Sequence, residues 1–336
     1  MLIITPATLI FFSSLIISSL IAIARTNWVM AWVSIEINLL RFIPIITASG
    51  TNQETEARIK YFLAQALGSA VMLLSRLSIW RDQNKSFIGS ILILSLLIKL
   101  GAAPCHFWFP SVITSLSWVT SLLLVTWQKL APLRLLAFPI LAPKSLSRLL
   151  VAVAGINAIL GGLLGLNQTH LRTLLAYSSI THIGWIIGAI SIASSLTSLL
   201  YFIAYSAIVF PLFILLNATN VVSPTQFTKS DITIVVLMLL LLLSLGGLPP
   251  LTGFLPKWMV ITIIQYHSVP LLITLIIGSL INLYFYLNIA FFILLSSLAN
   301  SSKLTSKIRI LSLPLVLAWS GLGLAPILLY AMTLLN

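Results

Sequence analysis

Four ionisable side chains interrupt stretches that are otherwise apolar: Glu36 in WVSIEINLL, Lys99 in ILILSLLIKLGAAP, Lys129 in LVTWQKLAPL and Lys257 in GFLPKWMV. A lysine at the centre of a bilayer costs on the order of 2.5–3.5 kcal/mol to insert, so it normally faces a partner or a water-filled cavity. The chemistry open to such a group is to hold a proton and release it as its electrostatic surroundings change. One carboxylate at about 4 Å, with an effective dielectric constant near 20, is worth about 4 kcal/mol. Moving one charge against a membrane potential costs ~2.3 kcal/mol per 100 mV. A displacement of Glu36, or of water, beside Lys99 therefore has enough energy to drive an uphill proton transfer.

Histidines extend the set. His182 stands in LLAYSSITHIGW with Tyr177 nearby, and imidazole is the side chain that exchanges protons most readily near neutral pH. His106, beside a predicted helix break, is a second relay candidate, while His170 and His267 read as loop residues. Each group also has a plainer reading: lysines that snorkel to an interface or pair as structural glue, Glu36 as a fixed counter-ion, and histidines held by ordinary hydrogen bonds. The single cysteine, Cys105, excludes an internal disulfide and a CxxC metal site, and reads as a small buried apolar side chain. Four scattered histidines give no support to a haem or iron–sulfur site.

The elements that carry these residues are membrane helices. The 336 residues are 60% hydrophobic and 7% charged, a balance no soluble domain of this size tolerates on its surface. The formal charge of +13 reflects the scarcity of acids, with only five in the chain, and the loop Lys and Arg residues read as topology signals rather than a nucleic-acid surface. The N-terminal stretch lacks a cationic start and a cleavage site, and reads as an uncleaved first crossing.

With about 20 apolar residues per crossing, helices are expected at 3–23, 28–48, 57–79, 86–110 and 118–141, then at 147–166, 171–192, 197–217, 231–266, 270–295 and 312–333, about eleven in all. TNQETEAR and VVSPTQFTKSD read as polar turns. The run 231–266 would extend roughly 54 Å as one helix against a ~30 Å core, so it must break, at Gly246-Gly247-Leu248-Pro249-Pro250. The segment 86–110 breaks at Gly101 and Pro104, directly after Lys99.

The broken helices are the fourth of the first five and the fourth of the next five. Five is odd, so a second copy enters the membrane from the opposite side, and matched interruptions in inverted halves point to a transport site. The expected organisation is a single all-α membrane domain over 1–336, with repeats at 3–141 and 147–295 and an added helix at 312–333. Basic loop residues tilt the N-terminus toward the inner side, and an odd number of crossings puts the C-terminus outside.

Six motifs in order carry a resemblance: WVSIEINLLRFIPII at 32–46, EARIKYFLAQALGS at 56–69, LIKLGAAPCHFWFP at 97–110, LVTWQKLAPL at 124–133, GLNQTHLRTLLAYSSITHIGW at 165–185 and SLGGLPPLTGFLPKWM at 244–259. Together they resemble the family of chain 2 subunits of mitochondrial NADH:ubiquinone oxidoreductase, respiratory complex I, over nearly the whole chain. The resemblance implies an antiporter-like subunit of the inner-membrane arm that helps move protons. It also implies NADH, FMN, iron–sulfur clusters and ubiquinone bound on other subunits, no cofactor or metal in this chain, and membrane-arm and accessory subunits and lipids as its partners. Glu36 and Lys99 match the family's charge pair, Lys129 its central lysine and Lys257 the lysine of its second broken helix. Two positions depart from the family pattern, Cys105 where an aromatic residue is expected and Ser111 where many relatives have glutamate. Two other readings stay open: a structural spacer without its own proton path, and a free-standing cation/proton antiporter of the same fold.

Overall fold

The computed structural model describes residues 6–24, 27–47, 50–79, 85–137, 144–192, 194–229, 232–249 and 251–299. All regular structure among them is helical: α1 (Pro6–Ala24), α2 (Trp28–Ile46), α3 (Asn52–Ile79), α4 (Lys85–Leu100), α5 (Trp108–Ser115), α6 (Trp118–Val125), α7 (Trp127–Ala137), α8 (Lys144–Leu166), α9 (Leu171–Ile192), α10 (Ser195–Thr219), a 3-10 turn (Pro224–Lys229), α11 (Ile232–Gly246), α12 (Phe254–Ile264) and α13 (Val269–Ala299). Six of these, α1, α2, α8, α9, α10 and α13, are long and apolar enough to cross a bilayer. The expected helix at 312–333 lies outside the described residues.

Both predicted breaks are present, and three local expectations change. TNQETEAR is not a loop. Thr51 accepts the Glu54 amide at 3.4 Å on its hydroxyl, and α3 starts at Asn52. Thr followed three residues later by Glu is a helix-start pattern, and it outweighs the polarity of the segment. The segment 118–141 is interrupted at Thr126, whose amide and hydroxyl both turn back to the Leu122 carbonyl, at 3.0 and 2.7 Å. The polar turn before α11 contains the 3-10 helix.

The chain divides into two compact units, Met1–Val153 and Ala154–Asn336. In the first, α1 packs on α2, α2 on α3, α3 on α4 and α5, α4 on α7, and α7 back on α1, closing a ring of helices. Indole N–H groups tie the ring: Trp127 donates to the Ser19 hydroxyl at 2.9 Å and Trp32 to the Ser69 carbonyl at 3.2 Å. Such bonds matter where no water competes for the polar groups.

In the second unit α9 is buried around its circumference and touches α10, α12 and α13. Small residues let helix backbones approach there. No Cβ fits at Gly184 without meeting the Ala154 carbonyl at 2.8 Å, and one at Gly161 would meet the Tyr177 carbonyl at 2.7 Å. This close approach is how membrane helices gain contact when lipid supplies no hydrophobic drive.

Candidate functional site: lysines at two helix breaks

The first break is built by the sequence Lys99-Leu100-Gly101. Gly101 adopts φ +66°, a conformation only glycine takes without strain, and its amide returns to the Ile98 carbonyl at 3.1 Å while the Ala102 amide returns to Leu97 at 3.0 Å. Two side chains take further carbonyl capacity at this helix end: Gln65 Nε2 donates to the Lys99 carbonyl and Trp108 Nε1 to the Ile98 carbonyl, each at 3.0 Å. The break is thus satisfied from within the protein, as backbone at membrane depth must be.

Lys99 is only 4% exposed, and its Nζ has no hydrogen-bond partner among the described residues. Its stem lies on Gly68 of α3, where an added Cβ would stand 2.9 Å from Lys99 Cγ. Glu36 of α2 is half-buried, and no hydrogen bond joins it to the Lys99 ammonium. Lys129 of α7 is 3% exposed and sets its ammonium 4.7 Å from the centre of the Phe109 ring, whose negative face attracts a cation. Phe109 in turn packs against Gly101, with 2.7 Å between its Cβ and a Cβ built on that glycine. The Phe109 ring therefore links the Lys129 ammonium to the break that follows Lys99.

The second break repeats the cap. Gly247 takes φ +84°, its amide reaches the Ser244 carbonyl at 3.0 Å, and the Leu248 amide reaches Leu243 at 3.3 Å. Here the lysine comes after the break. Lys257 sits in the first turn of α12, 5% exposed, and its Nζ donates to the Gly246 carbonyl at 2.6 Å. The ammonium thus neutralises the negative end of α11 and ties the two half-helices together. Gly253 backs onto the Ser244 carbonyl so closely that no Cβ fits there. All three lysines are enclosed by protein, so the snorkelling reading does not describe them.

The secondary candidates separate. His106 is buried in the first break, its Nδ1 3.3 Å from the Pro104 carbonyl and its ring against Phe107. Ser111 donates to the Trp108 carbonyl at 2.8 Å, and Cys105 is a half-buried free thiol. His182 is 5% exposed and Tyr177 is half-buried. The His182 Nδ1 is 3.0 Å from the Tyr201 hydroxyl, and the Tyr205 ring lies against the imidazole at 4.7 Å. One turn earlier on α9, Ser178 and Ser179 stand beside Tyr286 and Tyr205, and Asn282 of α13 donates to the Thr181 hydroxyl. Sequence reasoning missed Tyr201 and Tyr205. The available signal was their four-residue spacing on one face of an apolar helix. Among the described residues no cluster of three or more His, Cys, Asp or Glu could hold a metal ion.

Residues 25–282 match the family model described as NADH:quinone oxidoreductase/Mrp antiporter, TM. The chain is 45% identical over 290 residues to NADH-ubiquinone oxidoreductase chain 2 of Lumbricus terrestris, covering 85% of this chain and 86% of that one. It is 38% identical over 331 residues to the same subunit of Locusta migratoria, with 94% of each chain covered. Among solved structures it is similar to a chain of respiratory complex I from Thermus thermophilus, with a TM-score of 0.82, 22% identity and coverage of 96% of this chain and 78% of the other. It is also similar to a chain of the Mrp complex from Dietzia sp., with a TM-score of 0.78, 17% identity and coverage of 93% and 74%. At those identities the structural likenesses establish the fold alone.

Proposed function

The chain belongs to the NADH:quinone oxidoreductase/Mrp antiporter membrane family, in its NADH-ubiquinone oxidoreductase chain 2 branch, and from that membership we propose that it is a core membrane subunit of respiratory complex I, taking part in proton translocation across the mitochondrial inner membrane while NADH reduces ubiquinone. The observation that carries the proton role is the burial of three lysines at or beside two capped helix breaks. Glu36, Lys99, Lys129 and Lys257 are the proton-carrying groups of this reading, with His182, His106 and Tyr177 secondary. In this reading loss or movement of the Glu36 charge lets the Lys99 proton move on, and Phe109 steadies the cation when Lys129 has it.

Electron transfer in this reading belongs to other subunits, which hold NADH, FMN, iron–sulfur clusters and ubiquinone, and this chain does no redox chemistry of its own. Membrane-arm and accessory subunits and lipids are its partners. About eleven crossings form two inverted five-helix repeats, 3–141 and 147–295, with a further helix at 312–333, the N-terminus on the matrix side and the C-terminus toward the intermembrane space. The test is the number of protons moved per NADH oxidised by the assembled complex. Lys99→Met and Glu36→Gln should each lower that ratio or the coupled rate. Near-normal values in fully assembled variants defeat the proton role and favour a spacer. Sodium- or potassium-dependent exchange by the chain purified and reconstituted alone would instead favour a free-standing antiporter.

A further inference from the structure

Helix α10 presents Tyr201 and Tyr205, one turn apart, to the imidazole of His182 on α9. Tyr201 is 1% exposed and is among the largest fully buried side chains. Its ring stacks on Trp185, one turn after His182, with centroids 6.4 Å apart and planes at 7°. The phenol oxygen is thereby fixed at 3.0 Å from His182 Nδ1, and the Tyr205 ring, tilted by 37°, closes one face of the imidazole. We propose that Tyr201 is a positioning residue for proton exchange at His182, its hydroxyl fixing the ring's orientation and its tautomer. When the phenol donates, Nδ1 accepts and the ring's own proton resides on Nε2. When the ring gains a second proton, both nitrogens carry one, and the phenol oxygen accepts from Nδ1. The two arrangements differ by the proton added at Nδ1 and by the direction of one hydroxyl, so the ring can load and unload a proton without moving. The inference rests on the reading that His182 belongs to the proton route.

The competing role is structural, since a buried phenol and a buried imidazole each need a partner. Tyr201→Phe separates the two, because it keeps the ring that stacks on Trp185 and removes only the hydroxyl. In membranes holding the assembled complex, with turnover normalised to complex present, Tyr201→Phe should slow coupled NADH oxidation about two- to tenfold, the equivalent of one hydrogen bond. It should also raise the solvent deuterium effect on that rate, which a purely structural loss would leave alone. Unchanged rate and deuterium effect in Tyr201→Phe, beside a clear loss in His182→Gln, overturn the proposal. If His182→Gln is also without effect, the error lies in placing His182 on the proton route. If Tyr201→Phe does not assemble, the wild-type complex decides: a phenol oxygen more than about 4 Å from Nδ1 in an experimental map, or a coupled rate without a solvent deuterium effect, overturns the proposal, and hydrogen-bond contact together with such an effect upholds it.

Discussion

At the level of single residues, Lys129 depends on an aromatic face rather than on an acid. Its ammonium lies 4.7 Å from the Phe109 ring centre and has no hydrogen-bond partner among the described residues. A desolvated cation over an aromatic ring gains about 2 kcal/mol. Phe109→Leu keeps an apolar side chain and removes that attraction, so it should make the Lys129 cation harder to form. Coupled NADH oxidation should then slow about tenfold or more, with the amount of assembled complex little changed; an unchanged rate would show that Lys129 does not carry charge in turnover. The lysines themselves were legible in the sequence, because a charge inside an apolar run has few readings. Their supports were not. Phe109, Gly68 and Gln65 reach the Lys99 and Lys129 region from other helices, and nothing in an apolar pattern says which helix faces which.

Helices and their breaks show the opposite balance. Gly101 and Gly247 were legible as interruptions, and both close their helix with the same pair of backbone hydrogen bonds. The sequence also placed Lys99 before its break and Lys257 after its own; hidden from it was that Lys257 reaches back across the break to the Gly246 carbonyl. Thr126 could not be read as an interruption, because its hydroxyl competes for backbone only in the folded geometry. Gly247→Ala tests the second break. An alanine there suffers left-handed strain of about 1–2 kcal/mol, and its Cβ would stand 2.7 Å from Lys257 Nζ. The ammonium must then leave the Gly246 carbonyl. We expect a lower thermal midpoint for the complex together with slower pumping, whereas Gln65→Leu, which strips an acceptor's partner at the first break, should cost about 1–3 kcal/mol of stability. Thermal unfolding of the detergent-solubilised complex measures both, and a Gly247→Ala variant as stable and active as wild type would show that Lys257 is not held by the break.

For the whole chain the decisive property is whether charges in the first unit and in the second serve one process. Lys99 and Lys129 belong to Met1–Val153, and Lys257 to Ala154–Asn336. Each lysine is buried, and burial by itself is compatible with either one serial route or two separate functions. The two cases differ in how mutations combine. Steps in series are blocked by any one missing carrier, and residues acting as a unit give grossly non-additive losses. Independent functions multiply their defects, as distant sites without shared partners do. Lys99→Met and Lys257→Met should therefore each reduce the protons moved per NADH oxidised, and the double variant should be no worse than the more damaged single one. The comparison needs matched amounts of assembled complex, because losing Lys257 also removes the bond that joins α11 to α12. Measured in sealed membranes with a pH-sensitive dye alongside NADH oxidation, a double variant whose residual pumping equals the product of the two single residuals would rule out a single route through both units.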